Sequence, residues 1–235
     1  MKLPVLLLLV YLILTSCGKK TSPLPIEKSI PEDPQLEIEI TPLGFNLWIN
    51  LPSQTKGGFP LNKISSLIIE REERSLESPS KPKFKHIVLK PKLHSAARLF
   101  LYSDTELKGG HEYRYRLKIK KDFLVSSPFV SEKVVFWSNP PSFPEKFQIL
   151  PLEHGKIKLS WETPKVDIKN HPLKGEVFFR IEKQSGDKTI SFETKEKSLI
   201  EEFRGDMRIC YRLQAILNYQ GTLIPGLKTA PLCYP

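Results

Sequence analysis

Two stretches of this chain occur twice. Gly44-Phe45-Asn46-Leu47-Trp48-Ile49-Asn50-Leu51-Pro52 corresponds to Lys156-Ile157-Lys158-Leu159-Ser160-Trp161-Glu162-Thr163-Pro164, and Asp104 through Leu117 corresponds to Ile200 through Leu213. A chain that repeats at this spacing builds two similar domains, and 235 residues suffice for two of about 100 residues each. Within each copy, apolar and polar residues alternate in short runs bounded by Pro, Gly, Ser and Asn, with no sustained helical period. Proline is frequent (21) and glycine is not (12), which suits strands joined by stiff connections. The expected fold class is all-β, with domains at residues 35–138 and 144–235 and a Pro-rich linker at 139–143.

Alternation assigns faces. In the first copy Phe45, Leu47, Ile49, Tyr113, Tyr115, Leu117 and Ile119 are expected inside, leaving Arg114, Arg116, Lys118 and Lys120 outside. In the second, Ile157, Leu159 and Trp161 fill the core. Leu107, Gly110 and Tyr113 sit at the spacing of the Leu-x-Pro-Gly-x-x-Tyr corner of fibronectin type III domains, with Gly109 where that family has Pro. His171-Pro172-Leu173-Lys174-Gly175-Glu176-Val177 also resembles the segment leading into that family's third strand. The resemblance covers both copies and implies two tandem immunoglobulin-like, fibronectin type III-like sandwiches. It further implies that the Tyr113 hydroxyl clasps its own corner. The second copy has Ile209 at the tyrosine position and departs from the pattern there.

The chain opens with Met1-Lys2 and then an apolar run from Val5 to Leu14. A bilayer-spanning helix needs roughly 20 such residues, so this run reads as the core of an export signal. Leu14-Thr15-Ser16-Cys17 follows at once and resembles the lipobox of bacterial lipoproteins. That resemblance implies a signal peptide at 1–16, cleavage between Ser16 and Cys17, and acyl chains on Cys17 as the membrane anchor. Each buried CH₂ of such chains contributes about 0.8 kcal/mol, so two or three of them hold a protein stably. The alternative is a plain secretory signal cut elsewhere. Gly18, where an Asp would signal inner-membrane retention, implies an outer-membrane destination in a cell with two membranes. Residues 17–34 read as a disordered polar tether, because they hold four prolines after Lys19 and no apolar period. Cys17-Gly18-Lys19-Lys20-Thr21-Ser22-Pro23-Leu24-Pro25 is similar to the opening of a small lipoprotein associated with the lipopolysaccharide translocon, with Thr21-Ser22 in place of a single Gly.

Three further features are candidates for function. Trp48 falls among the outward residues of its strand, where a large apolar ring marks an interaction surface; a bulge turning it inward, or a neighbouring segment covering it, is the plainer alternative. Cys210 and Cys233 lie equidistant from a turn near Gly221, so a cross-strand disulfide is expected in an exported protein, with two unrelated thiols as the alternative. Closing that loop would stabilise the fold by roughly 3 kcal/mol. The first copy is longer than the second by a basic insertion carrying Lys81, Lys83, Lys85, Lys90 and Lys92, in a chain of net charge +10. Lysines on an edge strand also guard against aggregation, so the insertion has a structural reading beside the binding one.

No Gly-x-Ser-x-Gly, phosphate-cradling glycine loop or metal-spaced His or Cys pair occurs. The five histidines are scattered, and an enzyme, a metal site or a bound cofactor beyond the lipid on Cys17 is not expected. Nucleic acid is not an expected partner outside the cytoplasm. The chain therefore reads as an envelope lipoprotein that binds the lipid membrane through Cys17. Its domains would act as a non-enzymatic adapter for an envelope protein. The alternatives are recognition of an anionic glycan or lipopolysaccharide, and an accessory role at the translocon.

Overall fold

The computed structural model describes residues 25–78, 81–92, 98–203 and 208–234. The expected signal peptide at 1–16 and the expected lipidation site Cys17 lie outside the described residues.

The described residues begin with one helical turn, α1 (Ile26–Ser29), and go on to form fifteen strands. The first domain holds β1 (Gln35–Thr41), β2 (Gly44–Asn50), β3 (Ser66–Ser75), β4 (Lys83–Leu89), β5 (Leu99–Asp104), β6 (His111–Lys120) and β7 (Val130–Trp137). The second holds β8 (Glu145–Leu152), β9 (Lys156–Glu162), β10 (Glu176–Ser185), β11 (Lys188–Thr194), β12 (Ser198–Glu202), β13 (Ile209–Tyr219), β14 (Thr222–Pro225) and β15 (Leu232–Tyr234). All pairings are antiparallel. In the first domain β1-β2-β5 faces β4-β3-β6-β7; in the second β8-β9-β12 faces β11-β10-β13-β14, with β15 extending the last strand position along β13. These are two tandem antiparallel β-sandwiches, the architecture that the fibronectin type III resemblance implied.

The inward sets match the alternation. Phe45, Leu47, Ile49, Tyr113, Tyr115, Leu117 and Ile119 are buried, as are Ile157, Leu159 and Trp161. Phe45 is the hub of the first core, meeting Tyr113, Tyr115 and Trp137 edge-to-face at 6.0, 6.1 and 5.2 Å. Trp161 plays the same part in the second, against Phe147 at 6.5 Å and Phe179 at 5.5 Å.

Residues 25–34, which the expected boundary at residue 35 assigns to the tether, pair with the first domain. Gly57 N–H donates to Lys28, Lys56 N–H to Ile30 and Glu32 N–H to Gln54, while Pro31 bridges Thr55. Residues 25–34 are thus laid along the 51–61 loop as an added backbone ladder. Such pairing needs no apolar period, which is why a reading of side-chain pattern placed tether there.

The two cores meet. Leu217, Tyr219 and Ile224, from the β13–β14 hairpin of the second domain, belong to the same buried cluster as Leu36, Phe45 and Trp137 of the first. Phe136 N–H donates to the Thr222 hydroxyl at 3.2 Å. The linker is clamped as well. Ile168 N–H donates to Pro140, Ser142 N–H donates to Val166, and the Asn139 amide donates to the Asp167 carboxylate at 2.8 Å. Burial alone would raise the Asp167 pKa, but N–H donors from His171, the Asn139 amide and Lys169 N–H outweigh it and hold the carboxyl below its ordinary value. The proline linker is therefore not a free hinge but one wall of a packed joint.

Ile224 is fully buried at that joint. Ile224→Ala is expected to cost about 2–5 kcal/mol and to split a single urea transition, followed by tryptophan fluorescence, into two.

Candidate functional site

The outer face of β1-β2-β5 is the surface best equipped to bind. Phe45, Leu47 and Ile49 point into the core, so the strand pleat turns Asn46 and Trp48 outward on the central strand of the sheet. Trp48 is flanked in register by Glu37 on β1 and Leu101 on β5; Asn50 lies opposite Leu99. Leu99 and Leu101 are 60% and 44% exposed. The indole N–H donates to Glu39 Oε2 at 3.0 Å, the Asn46 amide donates to the same oxygen at 3.1 Å, and the Ser103 hydroxyl donates to Asn46 Oδ1 at 2.7 Å. This chain of hydrogen bonds crosses all three strands and fixes the ring. The donors on Asn46 and Trp48 also hold the Glu39 carboxyl below its usual range. The result is an oriented aromatic ring beside two uncovered leucines, with carboxylates on one flank.

Sequence reasoning reached Trp48 and missed its neighbours. Leu99-Phe100-Leu101-Tyr102 is apolar at every position. Phe100 and Tyr102 pack on the core while Leu99 and Leu101 stay outside. An unbroken apolar run on a strand whose outer face meets solvent was the signal available. The second domain has Ser160 at the position of Trp48, so the aromatic surface belongs to the first domain alone.

The basic insertion is dispersed. Lys83 and Lys85 share one face of β4, opposite Glu73 and Arg71 of β3, and Lys85 donates to Glu106 at 2.5 Å. Lys81 lies at the start of β4, whereas Lys90 and Lys92 follow its far end, next to the other loops at that end of the domain. β4 pairs only with β3, so it is an edge strand carrying lysines. The two arginines of the outward row of β6 are neutralised across the sheet, whereas Lys118 and Lys120 form no ion pair among the described residues. Arg116 pairs with Glu70, and Arg114 lies 3.7 Å from Glu72 and 3.4 Å from Glu132. Phe129 covers part of this face, 5.6 Å from the Arg116 guanidinium and 5.4 Å from the Lys118 ammonium.

A cleft at the domain joint is lined by Lys108, Asp167, His171, Lys174 and Tyr219. Most of its charges are paired: Lys108 bonds Glu73 at 2.6 Å, Lys174 bonds Glu77 at 2.5 Å, and His171 lies 3.4 Å from Asp167, while Lys169 forms no ion pair among the described residues. Among the described residues no group of three or more His, Cys, Asp or Glu side chains could hold a metal ion, and no helix is long and apolar enough to cross a membrane.

Cys210 and Cys233 face one another on β13 and β15 and are joined by a disulfide. The hairpin turns at Gln220-Gly221, where both residues have positive φ (52° and 82°), which places the turn one position earlier than equidistance suggests. Unpaired residues between β14 and β15 shift the returning strand and bring the cysteines opposite each other. The Tyr113 hydroxyl accepts from Lys108 N–H at 2.7 Å, forming the corner clasp, and burial raises its pKa to about 12. The second domain has Ile209 there; Arg204–Met207 of that corner are outside the described residues.

Each domain also holds a cation–carboxylate–tyrosine group that the sequence did not reveal, buried in the first and half-buried in the second. In the first, Arg71 Nη1 donates to both Asp104 oxygens at 2.9 Å and Tyr115 donates to Asp104 at 2.8 Å. In the second, Lys183 and Tyr211 donate to Glu201 at 2.5 and 2.7 Å. The gapless repeat alignment sets Asp104 against Ile200; the structure sets it against Glu201, one residue later.

No protein-family model matches this chain, and no curated protein matches it. Among solved structures it is similar to the chicken CNTN1 FN1–FN3 domains, with a TM-score of 0.47 and 11% identity over 87% of this chain. It spans 66% of that structure's length. A structure described as a myokine gives a TM-score of 0.31 and 19% identity, over 40% of this chain and 95% of that one. The sandwich assignment stands on the strand order and register above.

Asp104 is 2% exposed and accepts from three donors, Arg71, the Tyr115 hydroxyl and Glu106 N–H. Removing it as Asp104→Ala leaves buried Arg71 with the more distant Glu73, at 3.6 Å, as its carboxylate partner and is expected to cost about 3–5 kcal/mol, read from the urea midpoint at constant m-value.

Proposed function

We propose that this protein is a cell-envelope lipoprotein, anchored through acylated Cys17, that acts as a non-enzymatic adapter. Its partner is an envelope protein that docks on the outer β1-β2-β5 face of the first domain. The observation that carries this reading is the Trp48 ring, fixed by Glu39 and flanked by Leu99 and Leu101 on a face that no other segment of the described chain covers. Rigid aromatic groups in such settings supply a large share of interface energy at small entropic cost. The flanking Glu37 and Glu39 favour an apolar partner segment bordered by basic residues.

A second reading has its own support. Lys81, Lys83, Lys90 and Lys92 form no ion pair among the described residues, so the insertion retains charge that an anionic glycan or lipopolysaccharide phosphate could neutralise. Salt separates the two, because binding through exposed lysines weakens steeply with ionic strength and docking on an apolar face does not.

The anchor is tested by mass spectrometry of protein taken from its native membrane. The expected N-terminal peptide begins at Cys17 with added acyl mass and disappears in Cys17→Ser. An unmodified Cys17 would leave a secreted two-domain protein without this anchor.

The docking face is tested by placing a photo-crosslinking residue at Leu101 in native membranes. A discrete protein adduct is expected, insensitive to salt and lost in Trp48→Asp. Binding that survives Trp48→Asp but is abolished by salt, or by changing Lys81, Lys83, Lys85, Lys90 and Lys92 to Ser, would favour the glycan reading.

A further inference from the structure

The loop between β6 and β7 carries the most exposed apolar side chains of the described first domain: Phe123 is 92% and Leu124 77% exposed. They are held out by a built turn. The Asp122 carboxylate accepts from both Leu124 and Val125 N–H at 2.8 Å, Lys121 N–H donates to Val125 at 3.0 Å, and the buried Ser127 hydroxyl accepts from Ile119 N–H at 2.9 Å. Nothing in the described chain packs over the two tips.

Strand direction decides what surrounds them. β4 and β6 both run toward this end of the sandwich, so Lys90 and Lys92 follow one strand into it while Lys120 and Lys121 lie at the end of the other. None of these four lysines forms an ion pair among the described residues. The chain also enters the domain here. Ser131, just past the loop, donates its hydroxyl to the Pro34 carbonyl, and α1 lies on the neighbouring 54–57 loop. The second domain occupies the opposite end, where β7 leads into the linker.

We propose that this end of the first domain rests on an anionic lipid leaflet, with Phe123 and Leu124 in the headgroup layer and Lys90, Lys92, Lys120 and Lys121 above the phosphates. The inference rests on the Cys17 anchor of the preceding reading. Chain length supports it: Cys17 lies eight residues before Pro25, where the described chain begins. At full extension that stretch spans about 26–29 Å. An acyl group on Cys17 would therefore hold this end, and not the far domain, close to the bilayer. Apolar tips within a cationic collar suit such a surface because insertion gains from both burial and attraction to anionic lipid.

The test uses the full-length lipidated protein with Leu124→Cys carrying an environment-sensitive fluorophore. It is reconstituted into vesicles of phosphatidylcholine alone or mixed with phosphatidylglycerol, and a second protein is labelled at Asp187→Cys in the β10–β11 turn as the distant reference. The expected result is a blue shift at position 124 and quenching by lipid-borne spin labels, stronger with phosphatidylglycerol and absent at position 187. Phe123→Ser and Lys120→Glu/Lys121→Glu should each weaken the quenching several-fold while the protein still floats with the vesicles. Co-flotation with a solvent-exposed label would overturn this proposal and leave the anchor standing. Equal quenching on both vesicles would overturn the anionic leaflet as its target. A blue-shifted label beyond the reach of lipid quenchers would show a second protein, or another copy, covering the tip instead. Failure to float would overturn the anchor and this proposal together.

Discussion

The β13–β14 hairpin of the second domain finishes the core of the first. Leu217, Tyr219 and Ile224 are buried among side chains that begin at Leu36, more than 180 positions earlier in the chain. That apolar contact sets the relative placement of the sandwiches, together with the linker hydrogen bonds through Asn139, Pro140 and Ser142 to the 166–168 segment of the second domain. Burial of several large side chains outweighs the few polar contacts at the rim in such a joint. Its consequence is polarity: one end of the first domain is occupied, and the described residues leave uncovered the end that receives the N-terminal segment.

Inside each domain the two sheets are tied by the same device built from different residues. Arg71, Asp104 and Tyr115 in one become Lys183, Glu201 and Tyr211 in the other. Buried ion pairs of this kind contribute little net stability, because desolvation consumes most of the attraction, but losing one member leaves a charge stranded. The domains differ at the corner. The first closes it with the Tyr113 clasp; the second has Ile209 there, a disulfide one residue further on, and Phe203 against Tyr234 at 4.7 Å. A covalent tie stands where the hydroxyl is missing.

Much of this was legible in the residues. Strand alternation placed every core side chain of β2, β6 and β9 on its observed face, because one buried face admits only one register. It also turned Trp48 outward. The cysteine pairing followed from symmetry about the hairpin, although the turn lies one position earlier than that symmetry assumed and an irregular return strand supplied the difference. The same reading extended a tether through residues 25–34, where backbone ladders form without any apolar signature. It treated the lysine insertion as one patch, which strand direction divides between the two ends of β4.

What the sequence determined by itself was local and periodic: two copies, their strands, the face of each residue and the chemistry available at each position. Those properties depend on near neighbours along the chain, so composition and spacing carry them. What only the tertiary structure decided was which distant positions come together: Arg71 with Asp104, Trp48 with Leu101, Ile224 with the core of the other domain, and Lys90 and the Phe123 loop at the same end of the first. Such contacts depend on how sheets stack and chains return across many residues. The closing of those long loops is driven by burial summed over the whole core, which no short stretch of sequence displays.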